Sequence, residues 1–79
     1  MKFFKVFKTI KQKEVFLASV ILTRDELDTF NSMLSGDTYE QFAEQKNWSV
    51  KKVNRIVESL KEKYNLVQEE NADILKPFE

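Results

Sequence analysis

The sequence contains no cysteine and no histidine, and these two absences exclude several kinds of chemistry. Without cysteine the chain forms neither a disulfide nor a thiolate-ligated metal site. Without histidine it lacks the commonest metal ligand and the usual general base near neutral pH. There is also no glycine-rich phosphate loop and no pair of inward-facing carboxylates. We therefore expect a protein that is not an enzyme and that holds no metal or cofactor.

Glycine and proline each occur once in the 79 residues, so long flexible linkers are not expected. A chain of this length makes one small domain of limited stability, which oligomerisation would increase. The longest apolar run, residues 15–22, falls well short of the roughly 20 residues that a membrane-spanning helix needs. We expect a cytoplasmic protein without a membrane partner.

The formal net charge is zero, but the charges are unevenly distributed. Residues 1–13 carry five lysines and no acid, and residues 46–63 carry six basic residues and two acids. The other acids are concentrated in residues 14–45 and 64–79. A patchy basic surface is typical of a nucleic-acid-binding protein, whereas overall neutrality argues against tight nonspecific binding to DNA.

Residues 49–64 predict one amphipathic helix around which the chain is organised. Ser49 is a good N-cap, because its hydroxyl can accept a backbone N–H of the first turn. Four apolar residues have the spacing of a single buried stripe: Val53, Val57, Leu60 and Tyr64. Polar side chains are expected to point outward from the first turns, namely Lys51, Lys52, Asn54, Arg55 and Ser59. A recognition helix in the DNA major groove has this arrangement, and so does an ordinary surface helix with a solvated charged face.

A first helix is predicted near residues 24–35. Thr23 and Glu26 have the spacing of a capping box, and Gly36 fits the position that closes a helix. Its buried stripe is expected to consist of Leu27, Phe30, Asn31 and Leu34.

A second capping box, Thr38 with Gln41, predicts a short helix over residues 39–46. Its inward-facing residues are expected to be Phe42 and Ala43. Residues 46–48 then turn into the Ser49 cap, and Trp48 is expected in the core. Two short helices joined by such a turn form a helix-turn-helix.

The N-terminal segment alternates lysines with apolar residues, and two structures fit it. One helical face would contain Phe3, Val6, Phe7 and Ile10. The same residue types favour strands, so a hairpin of residues 3–10 with residues 15–22 also fits. The phenylalanines are expected to cover the core or a second subunit. The lysines would form a solvated face or contact phosphate or anionic lipid.

The C-terminal segment also leaves two alternatives. Asn65 suits a left-handed cap that would end the long helix. Residues 66–79 then fit either a short helix near residues 70–75 or a wing of two strands.

The expected fold class is therefore all-α. A tri-helical helix-turn-helix core would occupy residues 22–66, after an N-terminal segment at residues 1–21 and before a short helix, or alternatively a β wing, at residues 67–79.

The order and spacing of these residues resemble the LuxR-type (GerE-like) DNA-binding domain. That family's pattern runs Leu-Thr-x-Arg-Glu, a Gly, Asn-Lys-Glu-Ile-Ala and Ile-Ser-x-x-Thr-Val-Lys. The corresponding positions here are Leu22, Thr23, Asp25, Glu26, Gly36, Tyr39, Glu40, Gln41, Phe42, Ala43, Trp48, Ser49, Lys52, Val53 and Asn54. The spacing matches without a gap over residues 22–66. The pattern is also similar to region 4 of bacterial sigma factors and to winged-helix regulators, which share the tri-helical core.

The resemblance implies a helical domain, often dimeric through a fourth helix, that binds promoter DNA with its third helix. Asn54, Ile56 and Ser59 depart from the family's residues at or near the DNA-facing surface. Lys52 and Arg55 suit guanine edges, and Asn54 suits adenine. Thr38 and Ser49, at helix starts, suit phosphate contacts, as do the basic residues Lys46 and Lys51. The expected DNA-binding residues are Thr38, Lys46, Ser49, Lys51, Lys52, Asn54, Arg55 and Ser59.

The sequence thus predicts a small transcriptional regulator of bacterial or mobile-element type that binds double-stranded DNA as a homodimer. The alternative is a protein–protein module on the same core, such as an anti-activator or a modulator of RNA polymerase or of another regulator. The acids of residues 25–44 and the zero net charge favour that alternative.

Overall fold

The computed structural model of the chain describes residues 3–77, and every regular element in that range is helical. The elements in chain order are a 3₁₀ helix at Phe3–Val6, α1 at Ile10–Ser19, α2 at Arg24–Leu34, α3 at Tyr39–Lys46, α4 at Val50–Gln68 and a 3₁₀ helix at Glu69–Asn71. The all-α expectation is confirmed. The alternatives of an N-terminal hairpin and of a C-terminal wing are wrong, since no strand occurs within residues 3–77.

Capping boxes begin the first three α-helices. The side chains of Thr23 and Glu26 each bond the other's backbone N–H at the start of α2, and Thr38 and Gln41 do the same at the start of α3. Both were predicted, as were the bounds of α3. An unpredicted box of Thr9 with Gln12 begins α1. Helix α1 therefore starts at Ile10, where these bonds satisfy its first N–H groups, and the one continuous helical face expected for Phe3, Val6, Phe7 and Ile10 is interrupted between the 3₁₀ helix and α1.

The chain forms two compact units, of which one comprises Leu22–Leu60. Its buried apolar side chains include Phe30, Met33, Phe42, Ala43, Val53, Val57 and Leu60. The predicted inward residues of α3 and of this part of α4 are confirmed.

The predicted stripe of α2 is wrong apart from Phe30. Leu27 and Asn31 are exposed and Leu34 is half-buried. The buried positions are instead Glu26, Thr29, Phe30 and Met33. The buried face is rotated because the two polar members have bonding partners inside the fold: the Thr29 hydroxyl donates to the Asp25 carbonyl at 2.7 Å, and Glu26 accepts two bonds.

The second unit contains the residues before Leu22 and after Leu60. Tyr64 lies at its centre and meets the rings of Phe3, Phe7 and Phe16 at centroid distances of 5.4, 5.5 and 5.6 Å. The Tyr64 hydroxyl donates to the backbone carbonyl of Lys76, and Leu75 is fully buried. The N-terminal phenylalanines thus pack on the C-terminal half of α4 together with the chain that follows it.

Helix α4 does not end at Asn65, which was predicted to be a left-handed cap. The helix continues to Gln68, whose side chain donates to the Leu75 carbonyl at 3.1 Å. A 3₁₀ helix, Glu69–Asn71, replaces the predicted helix of residues 70–75. The backbone N–H of Leu75 then donates to the Asn71 carbonyl at 2.7 Å, and this turn brings the buried Leu75 back to its unit.

Candidate nucleic-acid interface

The start of α4 is fixed by the turn that precedes it. Asn47 ends α3 in the left-handed conformation, with φ 58° and ψ 40°. The backbone N–H of Trp48 donates to the Ala43 carbonyl at 2.9 Å. Ser49 then caps α4 as predicted, because its Oγ accepts the backbone N–H of Lys52 at 3.1 Å. The direction of the first turns of α4 is therefore set by local hydrogen bonds.

One side of these turns is anchored in the core and the other is open to solvent. Val53 and Val57 are fully buried. Lys51, Asn54 and Arg55 are exposed, and their side chains make no hydrogen bond or ion pair with any other residue in the range 3–77. These three side chains are placed outward as predicted and can bond to a ligand.

Lys52 has neighbours on two sides. Its Nζ lies 4.1 Å from the centre of the Trp48 ring, which is cation–π geometry, and 3.9 Å from the Asp25 carboxylate. Lys52 is only half-buried, so its ammonium still reaches solvent. The contacts hold the charge beside the exposed face of α4.

Trp48 was predicted to lie in the core, but it is only half-buried. It packs edge-to-face against Phe42, with ring centroids 5.7 Å apart. The ammonium groups of Lys46 and Lys52 lie 5.7 and 4.1 Å from the centre of its ring. The half-buried indole thus contacts Phe42 through one edge-to-face pair and two lysine ammonium groups through its ring.

Lys46 pairs with an acid of α2. Its Nζ lies 2.9 Å from the Asp28 carboxylate, and both side chains are half-buried. The hydrogen bond from Lys46, supported by its charge and that of Arg24, lowers the pKa of Asp28 despite partial desolvation. Lys46 is therefore less available to a phosphate than Lys51.

Ser59 does not point outward as predicted. Its hydroxyl donates to the carboxylate of the buried Glu26 at 2.7 Å, so the side chain serves the packing of α4 on α2. An open, shallow groove runs beside this bond, lined by Glu26, Lys52, Arg55, Ile56 and Ser59.

Thr38 and Ser49 use their side-chain oxygens as N-cap acceptors. Each hydroxyl retains a proton that can be donated to a phosphate oxygen. Near the start of α3, burial and the charge of Glu58 raise the pKa of Tyr39. Glu58 follows Arg55 on the exposed side of α4 and limits the basic surface to the first two turns of that helix.

The structure thus separates the eight predicted residues into three groups. Lys51, Asn54 and Arg55 are exposed together, Thr38 and Ser49 cap helices, and Lys46, Lys52 and Ser59 contact acids of α2. Those acids were not predicted to contact the site, and of positions 25, 26 and 28 only 25 and 28 have the spacing of neighbours on a helix surface.

Within residues 3–77, no group of acidic side chains could hold a metal ion, and no helix is both long and apolar enough to cross a bilayer. Comparisons with protein-family models, with curated proteins and with solved structures found no match. The function is therefore inferred from the geometry of the chain.

Proposed function

We propose that the chain binds double-stranded DNA with the exposed face of α4 and regulates transcription in a bacterium or a mobile element. The observation that carries this proposal is the side-by-side exposure of Lys51, Asn54 and Arg55 on a helix whose opposite side is fully buried. An anchored apolar back and unoccupied polar side chains near the N-terminus are the properties of a recognition helix.

The chemistry of the exposed face supports both phosphate contact and base reading. The Arg55 guanidinium can form two parallel hydrogen bonds to a guanine edge, and the Asn54 amide can do so with adenine. Lys51 and Lys52 supply positive charge for the backbone, and the Ser49 hydroxyl can donate to a phosphate. The Thr38 and Lys46 side chains extend the phosphate-binding surface in the same unit.

The arrangement of α2, α3 and α4 also supports a helix-turn-helix of LuxR type. Capping boxes begin α2 and α3, a tight turn joins α3 to α4, and α4 carries the basic face. A homodimer that places two such helices on successive turns of DNA would give the operator two half-sites about 34 Å apart.

Selection of binding sites from random double-stranded DNA at low and moderate salt tests this function. We expect an enriched motif, and a slope of log Kd against log salt that is reduced by about one in Lys51→Ala. Arg55→Ala should lose about 1–3 kcal/mol and relax the preference at one base position. Lys76→Ala is the matched control, because it removes one exposed lysine charge in the other unit and should change neither quantity.

One observation favours the protein–protein alternative. Lys46 and Lys52 lie beside acids of the same unit, which reduces the basic charge available to phosphates. If no DNA is retained at low salt while the chain captures an RNA polymerase subunit, the DNA-binding function is overturned and the alternative replaces it.

A further inference from the structure

Helix α1 has apolar side chains on two sides that lie about 110° apart around the helix, and only one of them is buried. Phe16 is fully buried and packs on the rings of Phe7 and Tyr64. Ile10 is 71% exposed and Leu17 is 36% exposed. A surface helix normally has one apolar stripe that faces the core. A second apolar side therefore indicates an interaction surface.

The uncovered side also has a regular charge pattern. At about 100° per residue, Ile10, Lys13, Glu14 and Leu17 occupy positions i, i+3, i+4 and i+7 of one face. Lys13 and Glu14 make no side-chain hydrogen bond or ion pair with another residue in the range 3–77. The face thus has an apolar residue at each end and a pair of opposite charges in the middle.

We propose that this α1 face, defined as Ile10, Lys13, Glu14 and Leu17, binds the same face of a second copy with the two helices antiparallel. A two-fold axis between residues 13 and 14 places Ile10 opposite Leu17 of the other copy. The same axis places Lys13 opposite Glu14. Each apolar residue then meets an apolar residue and each charge meets its opposite, as a two-fold interface requires.

The charge pattern identifies a second copy as the occupant. In a parallel pair Lys13 would meet Lys13 and Glu14 would meet Glu14, which is repulsive. An anionic membrane surface would attract Lys13 but repel Glu14. Of these three partners, the antiparallel α1 face is the one that satisfies all four side chains. This interface rests on the dimer part of the proposed function and does not depend on DNA binding.

Sedimentation equilibrium of the full chain without DNA tests the interface. Helix α1 has ten residues and is about 15 Å long, so the dimer is weak and must be examined over a wide concentration range. Ile10→Ser should weaken dimerisation by about tenfold or more, since loss of a main apolar contact of an interface costs above about 1 kcal/mol and the Ile10–Leu17 contact occurs twice.

Leu66→Ser is the matched control. Leu66 is 76% exposed, lies on α4 outside the α1 face, and undergoes the same kind of change. We expect its dimerisation to equal that of the unaltered chain, and circular dichroism should show unchanged helix content in both variants. A monomer at all concentrations overturns the interface, as does a dimer that Leu66→Ser dissociates and Ile10→Ser does not.

Charge reversal and cross-linking test the orientation. Lys13→Glu and Glu14→Lys should each weaken dimerisation by about threefold, and the double variant should restore it, because surface ion pairs contribute up to about 1 kcal/mol. Since the chain has no cysteine, introduced thiols give an unambiguous cross-link. Ile10→Cys mixed with Leu17→Cys should form a disulfide-linked dimer, and Ile10→Cys by itself should not. Efficient cross-linking of Ile10→Cys to itself would overturn the antiparallel pairing.

Discussion

The hydroxyl of Ser59 on α4 donates to the buried carboxylate of Glu26 on α2, with 2.7 Å between Oγ and Oε2. The other carboxylate oxygen accepts the backbone N–H of Thr23 at 2.9 Å. One side chain therefore caps α2 and also ties it to α4. Because a buried carboxylate is costly unless it is hydrogen-bonded, each bond makes the burial of Glu26 less unfavourable.

Loss of this carboxylate should destabilise the protein. We expect Glu26→Ala to lower the free energy of unfolding by about 2–3 kcal/mol, since it removes part of the cap and a hydrogen bond to a charged group. Ser59→Ala should cost about 1–2 kcal/mol. Urea denaturation measures both free-energy changes. Glu62→Ala is the control, because Glu62 is an exposed residue of α4, the helix that carries Ser59. The double variant should cost less than the sum, and strict additivity would show that the two residues are not coupled.

The Lys46–Asp28 pair should make the free energy of unfolding depend on pH in the acid range. The hydrogen bond from Lys46 lowers the pKa of Asp28 below its ordinary 3.8, so the folded state binds this proton less readily than the unfolded state. The stabilisation is therefore present above pH 3.8 and is lost as the pH falls through the pKa of the folded state. NMR titration of the Asp28 carboxyl carbon should show that Lys46→Ala raises this pKa. Lys52→Ala should leave it unchanged, and an unchanged pKa in Lys46→Ala would contradict the assignment.

Residues whose structure is decided by neighbours in the sequence could be predicted. The capping boxes at Thr23 and Thr38, the cap at Ser49 and the positive φ of Gly36, at 98°, follow from short-range spacing. The stripe of Val53, Val57 and Leu60 also follows, because apolar periodicity in a long helix is a strong signal. The box at Thr9 has the same spacing, but the surrounding lysines and phenylalanines fit both helix and strand.

Residues whose structure depends on distant partners could not be predicted. Glu26 lies on the buried face of α2, where its carboxylate accepts a hydrogen bond from Ser59, 33 positions away. Asn65 remains helical because α4 is held by contacts of Tyr64 and Gln68 with the returning chain. Ser59 was predicted on the exposed face because the local sequence does not show that its hydroxyl donates to a carboxylate on another helix. DNA binding itself stays a prediction from the exposed part of that face.

Tyr64 should stabilise the second unit mainly through its ring. Tyr64→Phe removes only the hydrogen bond to the Lys76 carbonyl and should cost about 1 kcal/mol in urea denaturation. Tyr64→Ala also removes contacts with three phenylalanine rings and should cost about 3–5 kcal/mol. Equal costs for the two variants would show that the ring contributes little to packing.

The same residue should report its burial in alkaline titration. Burial raises the pKa of Tyr64 above 10, because desolvation disfavours the charged phenolate. The unfolded state therefore loses this proton at lower pH, and stability should fall as the pH rises above 10. The absorbance of tyrosinate should appear at higher pH for the folded chain than for the chain unfolded in urea. In Tyr64→Phe, Tyr39 is the remaining tyrosine and shows its own raised pKa.

Ser49 allows helix capping to be separated from DNA binding. Ser49→Ala should lower the free energy of unfolding by about 1 kcal/mol, because Oγ no longer accepts the Lys52 N–H. Ser49→Asp retains a cap of similar strength but puts a negative charge where a phosphate is expected. Its stability should stay within about 0.5 kcal/mol of the unaltered chain, whereas DNA affinity should fall at least about tenfold, since like charges in an interface cost several kcal/mol. Thr9→Asp makes the same exchange at the cap of α1 and should leave affinity unchanged. If Ser49→Asp binds DNA as tightly as the unaltered chain, the start of α4 does not face the phosphate backbone.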